Sequence, residues 1–224
     1  MTWVKICGNT SLPDAELAIA YGADALGFVF AESKRRVTPS HVATITPHLA
    51  RHVERVGVFY SRDAAEIASV VEQAGLSAAQ LHGGLDLRLI EELRHRLGDQ
   101  FGLIQTLHWV VGSDSAQTLK TELSEIAASG MLERVLVDSR VGSAGGGTGV
   151  AFDWKAARSV LQQAPSQLRI LAAGGLRPEN VGEAIRELSP WGVDVASGVE
   201  AAPGQKDAEK LRAFLQAAKE NGSL

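Results

Sequence analysis

A chain of 224 residues, 45% of them hydrophobic, can bury a large core and falls within the roughly 200–250 residues that α/β barrels use as one domain. The formal charge of -4 and the pI near 5.9 exclude the basic surface expected of a nucleic-acid-binding protein. No segment approaches the ~18 consecutive apolar residues of a membrane span, and a single cysteine excludes both an intramolecular disulfide and a cysteine-based zinc site.

These features predict the setting in which the chain works. A lone cysteine is typical of a reducing compartment, and the N-terminal segment lacks the basic start and apolar run of a signal peptide. We therefore expect a cytoplasmic protein without a nucleic-acid or membrane partner.

Eight apolar runs alternate with eight segments of helical periodicity. The predicted strands are Trp3–Cys7, Ala25–Phe30, Arg55–Phe59, Ala78–His82, Gly102–Leu107, Arg134–Asp138, Arg169–Ala173 and Val193–Ser197. The predicted helices are Pro13–Tyr21, Ser40–Leu49, Asp63–Gln73, Asp86–Leu97, Ser115–Ala128, Asp153–Gln163, Pro178–Leu188 and Asp207–Lys219. Eight such units favour a closed barrel over an open doubly wound sheet, which usually has five or six strands. The predicted fold class is α/β: a single (β/α)8 TIM barrel domain over residues 1–224, with eight parallel strands inside an outer ring of helices.

Functional groups of such a barrel lie at the C-terminal ends of its strands, and phosphate is commonly held by the loops after strands seven and eight. Several polar or glycine residues of this chain occupy those positions. They are Cys7 and Gly8, the run Ser33-Lys34-Arg35-Arg36 after Phe30, Gln80 and His82 with Gly83, Asp138, Gly174 and Gly175, and Ser197 and Gly198.

The segment Arg134–Gly149 combines a short apolar strand, a carboxylate and a glycine cluster. Asp138 ends the strand, and Gly146, Gly147 and Thr148 follow in a stretch whose backbone amides could close on an anion near a helix start. The segment is therefore a candidate acid beside a phosphate cradle. An aspartate that caps a loop, followed by a mobile linker, is the alternative that the segment alone leaves open.

Other motifs point away from nucleotide and zinc-protease chemistry. Gly147-Thr148-Gly149 lacks the third glycine of a dinucleotide fingerprint, and no glycine-lysine-serine or glycine-lysine-threonine follows. His48 and His52 have helical spacing without the glutamate of a zinc-protease motif, which favours a solvated helix face.

Four short motifs at or after the ends of the predicted strands carry a resemblance to a known family. They are KICG at residues 5–8, QLHG at 80–83, GGTG at 146–149 and SGVE at 197–200. Their order and spacing resemble the phosphoribosylanthranilate isomerase family. The resemblance implies a barrel that converts N-(5-phosphoribosyl)anthranilate to 1-(2-carboxyphenylamino)-1-deoxy-D-ribulose 5-phosphate. This Amadori rearrangement, the third step of tryptophan biosynthesis from chorismate, requires no cofactor.

The family pattern also implies residue roles. Cys7 would be the general base, Asp138 the general acid, and Arg35 would lie near the anthranilate carboxylate. Here Ser33-Lys34-Arg35-Arg36 replaces the usual serine-proline-arginine-tyrosine, so Arg36 is the competing candidate and Arg35 is preferred by register. The segment Gln105–Trp109 lacks the features expected after strand five and has no assigned role.

Further residues are expected to complete the pocket. Lys5, on the same strand face as Cys7, would pair with Asp194 on the neighbouring closing strand, while Gln80 and His82 share a face and would line the substrate site. Backbone amides near seven residues would hold the phosphate. They are Gly146, Gly147, Thr148, Gly174, Gly175, Ser197 and Gly198. The loop Ser139–Gly149 is a candidate lid.

Two other functions remain in view. Another phosphosugar barrel enzyme, such as an epimerase, would normally need a metal held by histidine and carboxylate groups at several strand ends, and we expect that set to be missing. A non-catalytic phosphosugar-binding barrel would keep the glycines but not need the acid and base. We expect a phosphorylated small-molecule substrate, no metal, no cofactor and a monomer rather than an oligomer.

Overall fold

The structure, a computed structural model, describes residues 1–110, 115–140 and 154–222. The barrel strands are β1 Trp3–Ile6, β2 Ala25–Val29, β3 Glu54–Phe59, β4 Ala78–Leu81, β5 Gly102–Val110, β6 Arg134–Arg140, β7 Arg169–Ala173 and β8 Gly192–Val195. A hairpin of β9 Glu200–Ala202 and β10 Gln205–Lys206 follows. The helices are α1 Leu12–Ala20, α2 Pro39–Val42, α3 Ala64–Gln73, α4 Leu87–Leu97, α5 Ser115–Ser129, α6 Trp154–Leu161, α7 Val181–Leu188 and α8 Ala208–Asn221.

The strands β1 to β8 form a closed, all-parallel barrel in chain order, as predicted. Closure occurs where β1 pairs with β8 and brings Lys5 opposite Asp194. The longest pairing joins β5 and β6 and extends past the predicted strand ends to His108 opposite Asp138 and beyond. This extension carries two polar side chains to the C-terminal rim.

Two cores form because side chains alternate between the faces of a strand. One core fills the barrel and the other lies between strands and helices. In β6, for example, Leu136 belongs to the inner core, whereas Val135 and Val137 belong to the outer one. Asp138, two residues after Leu136, therefore continues the inward face of β6.

The helices begin where short polar side chains cap their first amides. Asp63, Asp86 and Asp207 each accept two backbone N–H groups at the starts of α3, α4 and α8. Ser11 caps α1, which also has a proline in its first turn.

The predicted helix Ser40–Leu49 is wrong as a continuous element. The chain forms α2 and then a separate 3-10 turn, Thr46–His48. Pro47 explains the break, because it donates no backbone N–H and its ring clashes with a preceding helical turn.

Two other boundaries differ after β7 and β8. The helix predicted from Pro178 starts at Val181, because Asn180 accepts from the Arg177 amide and holds a turn before the helix. The last barrel strand, β8, ends at Val195, and Ser197–Val199 forms a 3-10 turn. In the described ranges, no helix is long and apolar enough to cross a membrane.

Candidate active site

A cavity of about 700 Å³ opens at the C-terminal end of the barrel. Cys7 from the end of β1 and Asp138 from β6 both line it. So do several other predicted residues: Arg35, Gln80, His82, Gly174, Gly175 and Ser197. The volume is within the range of sites that enclose small organic ligands. One cavity thus joins the two groups expected to act on opposite sides of a substrate.

A larger depression of about 1160 Å³ lies at the opposite, N-terminal end and includes Glu54, Gly102 and Arg134. There Arg134 forms two hydrogen bonds to the Glu54 carboxylate, at 2.6 and 2.9 Å. Because the ends of barrel strands on this side contribute to stability rather than chemistry, the smaller C-terminal cavity is the candidate active site.

Gly27 makes room for the Cys7 side chain. A Cβ atom at this position of β2 would lie 2.7 Å from the Cys7 Sγ and 3.1 Å from the Lys5 Cε. Sequence reasoning did not select Gly27, because the need for a missing side chain inside the barrel appears only in three dimensions. The glycine allows the thiol and the lysine stem to share one layer of the barrel interior.

The predicted Lys5–Asp194 ion pair is confirmed. The Lys5 Nζ donates to the Asp194 Oδ1 at 2.7 Å, and the lysine side chain is fully buried. Burial acts to lower the pKa of Lys5, but the Asp194 carboxylate and the Cys7 sulfur outweigh it, and the pKa is raised. Lys5 is therefore a fixed positive charge beside the thiol.

The Cys7 thiol itself is held in its neutral form. Burial raises its pKa more than the charges of Lys5 and Lys206 lower it, and Asp194 adds to the increase. The two lysines limit the increase in the pKa without reversing it. The resting cavity thus holds a thiol that is deprotonated only in a minor fraction of molecules at neutral pH.

Glu200 organises the charged groups between β1, the β2 loop and the β9–β10 hairpin. The Arg35 guanidinium binds it in a bidentate manner, with Nε to Oε1 at 2.8 Å and Nη2 to Oε2 at 2.6 Å. Burial alone would raise the pKa of Glu200, yet the Arg35 hydrogen bonds and the Lys206 charge hold it below its usual value. Glu200 therefore remains a carboxylate that anchors both cations.

Lys206 links this cluster to the candidate base. Its Nζ donates to the Cys7 backbone oxygen at 2.6 Å and to the Glu200 Oε1 at 3.2 Å. Burial lowers the pKa of Lys206, although Glu200 acts against this. Sequence reasoning gave Glu200 no role beyond its place in the SGVE motif, and it missed Lys206, since a hairpin with strands of two and three residues leaves no periodic pattern.

Gly8 determines how Arg35 lies over the barrel end. Its φ of +72° favours glycine, and a Cβ there would lie 2.6 Å from the Arg35 Cδ. Arg36, the competing arginine, lines a separate depression with Phe30, Val37 and Tyr60. Of the two, only Arg35 lines the cavity that contains Cys7 and Asp138.

Gln80 and His82 line the other side of the cavity, at the end of β4. The Gln80 side chain is buried, and its Nε2 donates to the Thr106 Oγ1 at 3.0 Å. No described residue donates to the Gln80 Oε1, which leaves a buried acceptor at the cavity wall. The His82 ring contacts Tyr60, with ring centroids 4.7 Å apart.

Four of the seven predicted phosphate-binding residues lie in the loops after β7 and β8. Gly174 and Gly175 have φ of +91° and +65°, and Ser197 is exposed at the start of a 3-10 turn. Gly198 allows the two loops to touch, since a Cβ there would lie 1.9 Å from the Leu176 backbone oxygen. Gly146, Gly147 and Thr148 and most of the candidate lid fall outside the described residues.

The expectation that no set of histidine and carboxylate groups gathers at the strand ends is wrong. His82, His108 and Asp138 each offer a ligand atom, and these atoms lie within 4.8 Å of one another. His108 was missed because the predicted fifth strand ended at Leu107, whereas β5 continues to Val110.

Comparison with known proteins gives consistent matches. The model of the family "N-(5'phosphoribosyl)anthranilate (PRA) isomerase" matches residues 4–217. The N-(5'-phosphoribosyl)anthranilate isomerase of Pelobacter propionicus is 41% identical over 232 residues, which cover 100% of this chain and 98% of that protein.

Solved structures of proteins with the same name as these relatives also match this chain. The crystal structure of phosphoribosyl anthranilate isomerase from Thermotoga maritima matches with a TM-score of 0.82 and 33% identity, covering 98% of this chain and 100% of that one. A second, in complex with reduced 1-(o-carboxyphenylamino)-1-deoxyribulose 5-phosphate, matches with a TM-score of 0.79, the same identity and the same coverage.

Proposed function

The chain belongs to the N-(5'-phosphoribosyl)anthranilate isomerase family, isomerases of tryptophan biosynthesis, and on that premise we propose how its own residues act. The proposed reaction converts N-(5-phosphoribosyl)anthranilate to 1-(2-carboxyphenylamino)-1-deoxy-D-ribulose 5-phosphate. The observation that carries the proposal is the shared cavity of Cys7 and Asp138, which come from strands on different sides of the barrel.

Asp138 is the proposed general acid. It donates a proton to the furanose ring oxygen as the bond from that oxygen to C1 breaks, and the anilinic nitrogen supplies the electron pair that forms the iminium ion. Asp138 lies on the inward face of β6, near the C-terminal end of the barrel. Its side chain is 20% exposed, so it can exchange protons with solvent before a ligand covers it. Its carboxyl group must be protonated when the ring opens, and a ligand that excludes water favours that form.

Cys7 is the proposed general base. Its thiolate removes the C2 proton of the iminium ion, and the electron pair moves to neutralise the nitrogen and give an enolamine. Tautomerisation then places a proton on C1 and leaves the ketone at C2. Lys5 and Lys206 stabilise the thiolate through the charges that limit the increase in its pKa.

The reaction moves hydrogen within one molecule, so its atoms and electrons balance without a co-substrate. Substrate recognition is assigned to side chains around the cavity. Arg35 uses Nε and Nη2 for Glu200, which leaves Nη1 for the anthranilate carboxylate. The buried Gln80 Oε1 suits a sugar hydroxyl donor, and His82 lines the same cavity. Lys5, expected to contact substrate, is fully buried and does not line the cavity, so it acts through its ion pair with Asp194, which does.

The phosphate is assigned to main-chain amides rather than to a cationic side chain. Gly174 and Gly175 after β7 and Ser197 and Gly198 after β8 lie on adjacent loops that touch at Gly198. Amide groups of such loops are suited to phosphate in this fold. From the sequence alone, backbone amides near Gly146, Gly147 and Thr148 are also proposed to bind the phosphate.

Three further expectations stay predictions. We propose that residues 1–224 work as one barrel domain, as a monomer and in the cytoplasm. Light scattering coupled to size-exclusion chromatography measures the mass of the particle, and a mass near twice the 23.7 kDa of the chain would contradict the monomer.

The decisive experiment mixes purified protein with N-(5-phosphoribosyl)anthranilate in the presence of a chelator and follows the loss of substrate fluorescence. Enzyme-dependent loss of the signal, together with complementation of a tryptophan auxotroph that lacks this isomerase, is the expected result. Tight binding without turnover would favour the non-catalytic phosphosugar-binding barrel and contradict the proposal.

A further inference from the structure

His82, His108 and Asp138 form a cluster that the proposed reaction does not require as a unit. We propose that these three side chains bind one divalent transition-metal ion, zinc above all, at the rim of the cavity. Nothing in the family assignment calls for this site, and it depends on His108, whose segment had no role in the sequence analysis.

Three consecutive strands bring the ligands together. His82 directly follows β4, His108 lies near the end of β5, and Asp138 lies on the inward face of β6. His108 is opposite Asp138 in the β5–β6 register. Neighbouring parallel strands in register therefore present two imidazoles and one carboxylate at one edge of the barrel.

The distances leave room for an ion. The three ligand atoms lie within 4.8 Å of one another, and the His108 Nδ1 is 3.9 Å from the Asp138 Oδ2. Ligand atoms around a tetrahedral zinc ion, at bond lengths of about 2.0–2.1 Å, lie roughly 3.3 Å apart. Side-chain rotations that shorten these separations by about 1.5 Å or less complete the geometry.

Such rotations are available because the cluster is only partly enclosed. The His108 and Asp138 side chains are 26% and 20% exposed. The rings of His82 and His108 meet edge to face, with centroids 4.9 Å apart. The strands that carry them are fixed by the barrel, so only side chains need to move.

The donor set selects the kind of ion. Two neutral imidazoles and one carboxylate suit zinc, cobalt(II) and nickel(II), whereas magnesium and calcium prefer oxygen ligands. Three protein ligands leave a fourth position open, and Asp138 and His82 both line the cavity, so that position faces the substrate space.

A bound ion has a consequence for turnover. A carboxylate that ligates zinc is deprotonated and cannot donate a proton, and the open coordination position lies where substrate would enter. Zinc is therefore expected to inhibit the enzyme in competition with substrate. The metal site itself does not rest on the proposed acid role of Asp138, because binding is measured without any reaction.

The test uses tag-free full-length protein and two metal probes. Cobalt(II) absorbance reports ligation, and competition with a chromophoric chelator gives the zinc affinity and stoichiometry. We expect one zinc ion per chain, with affinity reduced roughly 100-fold or more in His108→Phe, which keeps a ring against His82 but offers no donor. The matched control is His95→Asn, which removes an exposed histidine of α4 and is expected to bind zinc like the unaltered protein.

Three outcomes decide the question. Zinc that raises the melting temperature of the unaltered protein and of His95→Asn but not of His108→Phe supports the site. Equal zinc affinity in His108→Phe and the unaltered protein, or no stoichiometric binding at all, overturns it, and His108→Asn repeats the comparison if the phenylalanine variant does not fold. Stoichiometric binding without inhibition would uphold the metal site and contradict the acid role of Asp138, so the two claims fail separately.

Discussion

The ammonium group of Lys5 lies 2.7 Å from the Asp194 carboxylate, across the seam where the first and last barrel strands meet. This pair holds a buried positive charge two residues before Cys7, on the same face of the chain. The sequence places Lys5 on the first strand and Asp194 on the last. Their charges meet because closure of the barrel brings β1 beside β8. The seam therefore contributes both to the barrel and to the environment of the candidate base.

Replacing Arg35 tests substrate recognition. Arg35→Lys cannot keep the bidentate contact with Glu200 and present another donor to a carboxylate, so KM is expected to increase by about 10- to 100-fold, the cost of one charge-assisted hydrogen bond. Steady-state kinetics measure the change. Arg36→Lys is the control, since Arg36 lines a separate depression, and an equal or larger effect there would reverse the assignment.

Filling the space above Cys7 tests the geometry of the inner barrel. Gly27→Ala would place a methyl group 2.7 Å from the Cys7 Sγ, so kcat is expected to decrease. The matched control is Gly57→Ala on β3, where the methyl would crowd Phe59 and Leu76 in the outer core. Both variants should lose about 1–3 kcal/mol of unfolding free energy, as overpacked cores do. An equal loss of kcat in both would show that crowding acts through stability alone.

The pH dependence follows from the state of the thiol. A base acts when deprotonated, and burial raises the Cys7 pKa above the thiol value of about 8.5. In the enzyme–substrate complex, where the bound ligand excludes water from the proposed acid, kcat should therefore increase with pH along a limb in the alkaline range. Lys206→Met removes a charge that lowers this pKa and should move the limb to higher pH. The control is Lys210→Met. The Lys210 ammonium group donates only to the Glu200 backbone oxygen among the described residues, so its loss should leave the pH limb in place. A limb unmoved by Lys206→Met would contradict this coupling.

The opposite end of the barrel should affect stability without affecting catalysis. Arg134→Met leaves the Glu54 carboxylate without its partner in a poorly exposed position and is expected to cost about 3 kcal/mol of unfolding free energy, measured by urea denaturation. Arg158→Met breaks a pair with Glu187 that is largely exposed and should cost about 1 kcal/mol or less. A decrease in kcat for Arg134→Met would indicate that the N-terminal end takes part in the reaction.

Much of the barrel could be predicted because alternation and helical periodicity are local signals. The pattern of Arg134–Asp138 predicted a strand that carries a carboxylate at its end, and the structure has this strand with Asp138 lining the cavity. The helix predicted over Ser40–Leu49 was wrong because Pro47 interrupts an otherwise helical pattern.

The parts of the site that were missed depend on contacts between distant segments. Lys206 approaches Cys7 through a short hairpin that has no periodicity, and Gly27 matters through the atoms that its missing side chain would meet. His108 was overlooked because strand ends are the least certain part of a predicted element. The roles of such residues depend on contacts that form only in the closed barrel, so local sequence patterns do not predict them.

Whether Cys7 is the general base is decided by single-turnover kinetics of Cys7→Ala, measured beside binding of reduced 1-(o-carboxyphenylamino)-1-deoxyribulose 5-phosphate. We expect a rate about 10²- to 10⁴-fold below that of the unaltered protein, the usual contribution of a general base, with the affinity for this analogue nearly unchanged. A Cys7→Ala variant that turns over at the unaltered rate would contradict the assignment of Cys7 as the base.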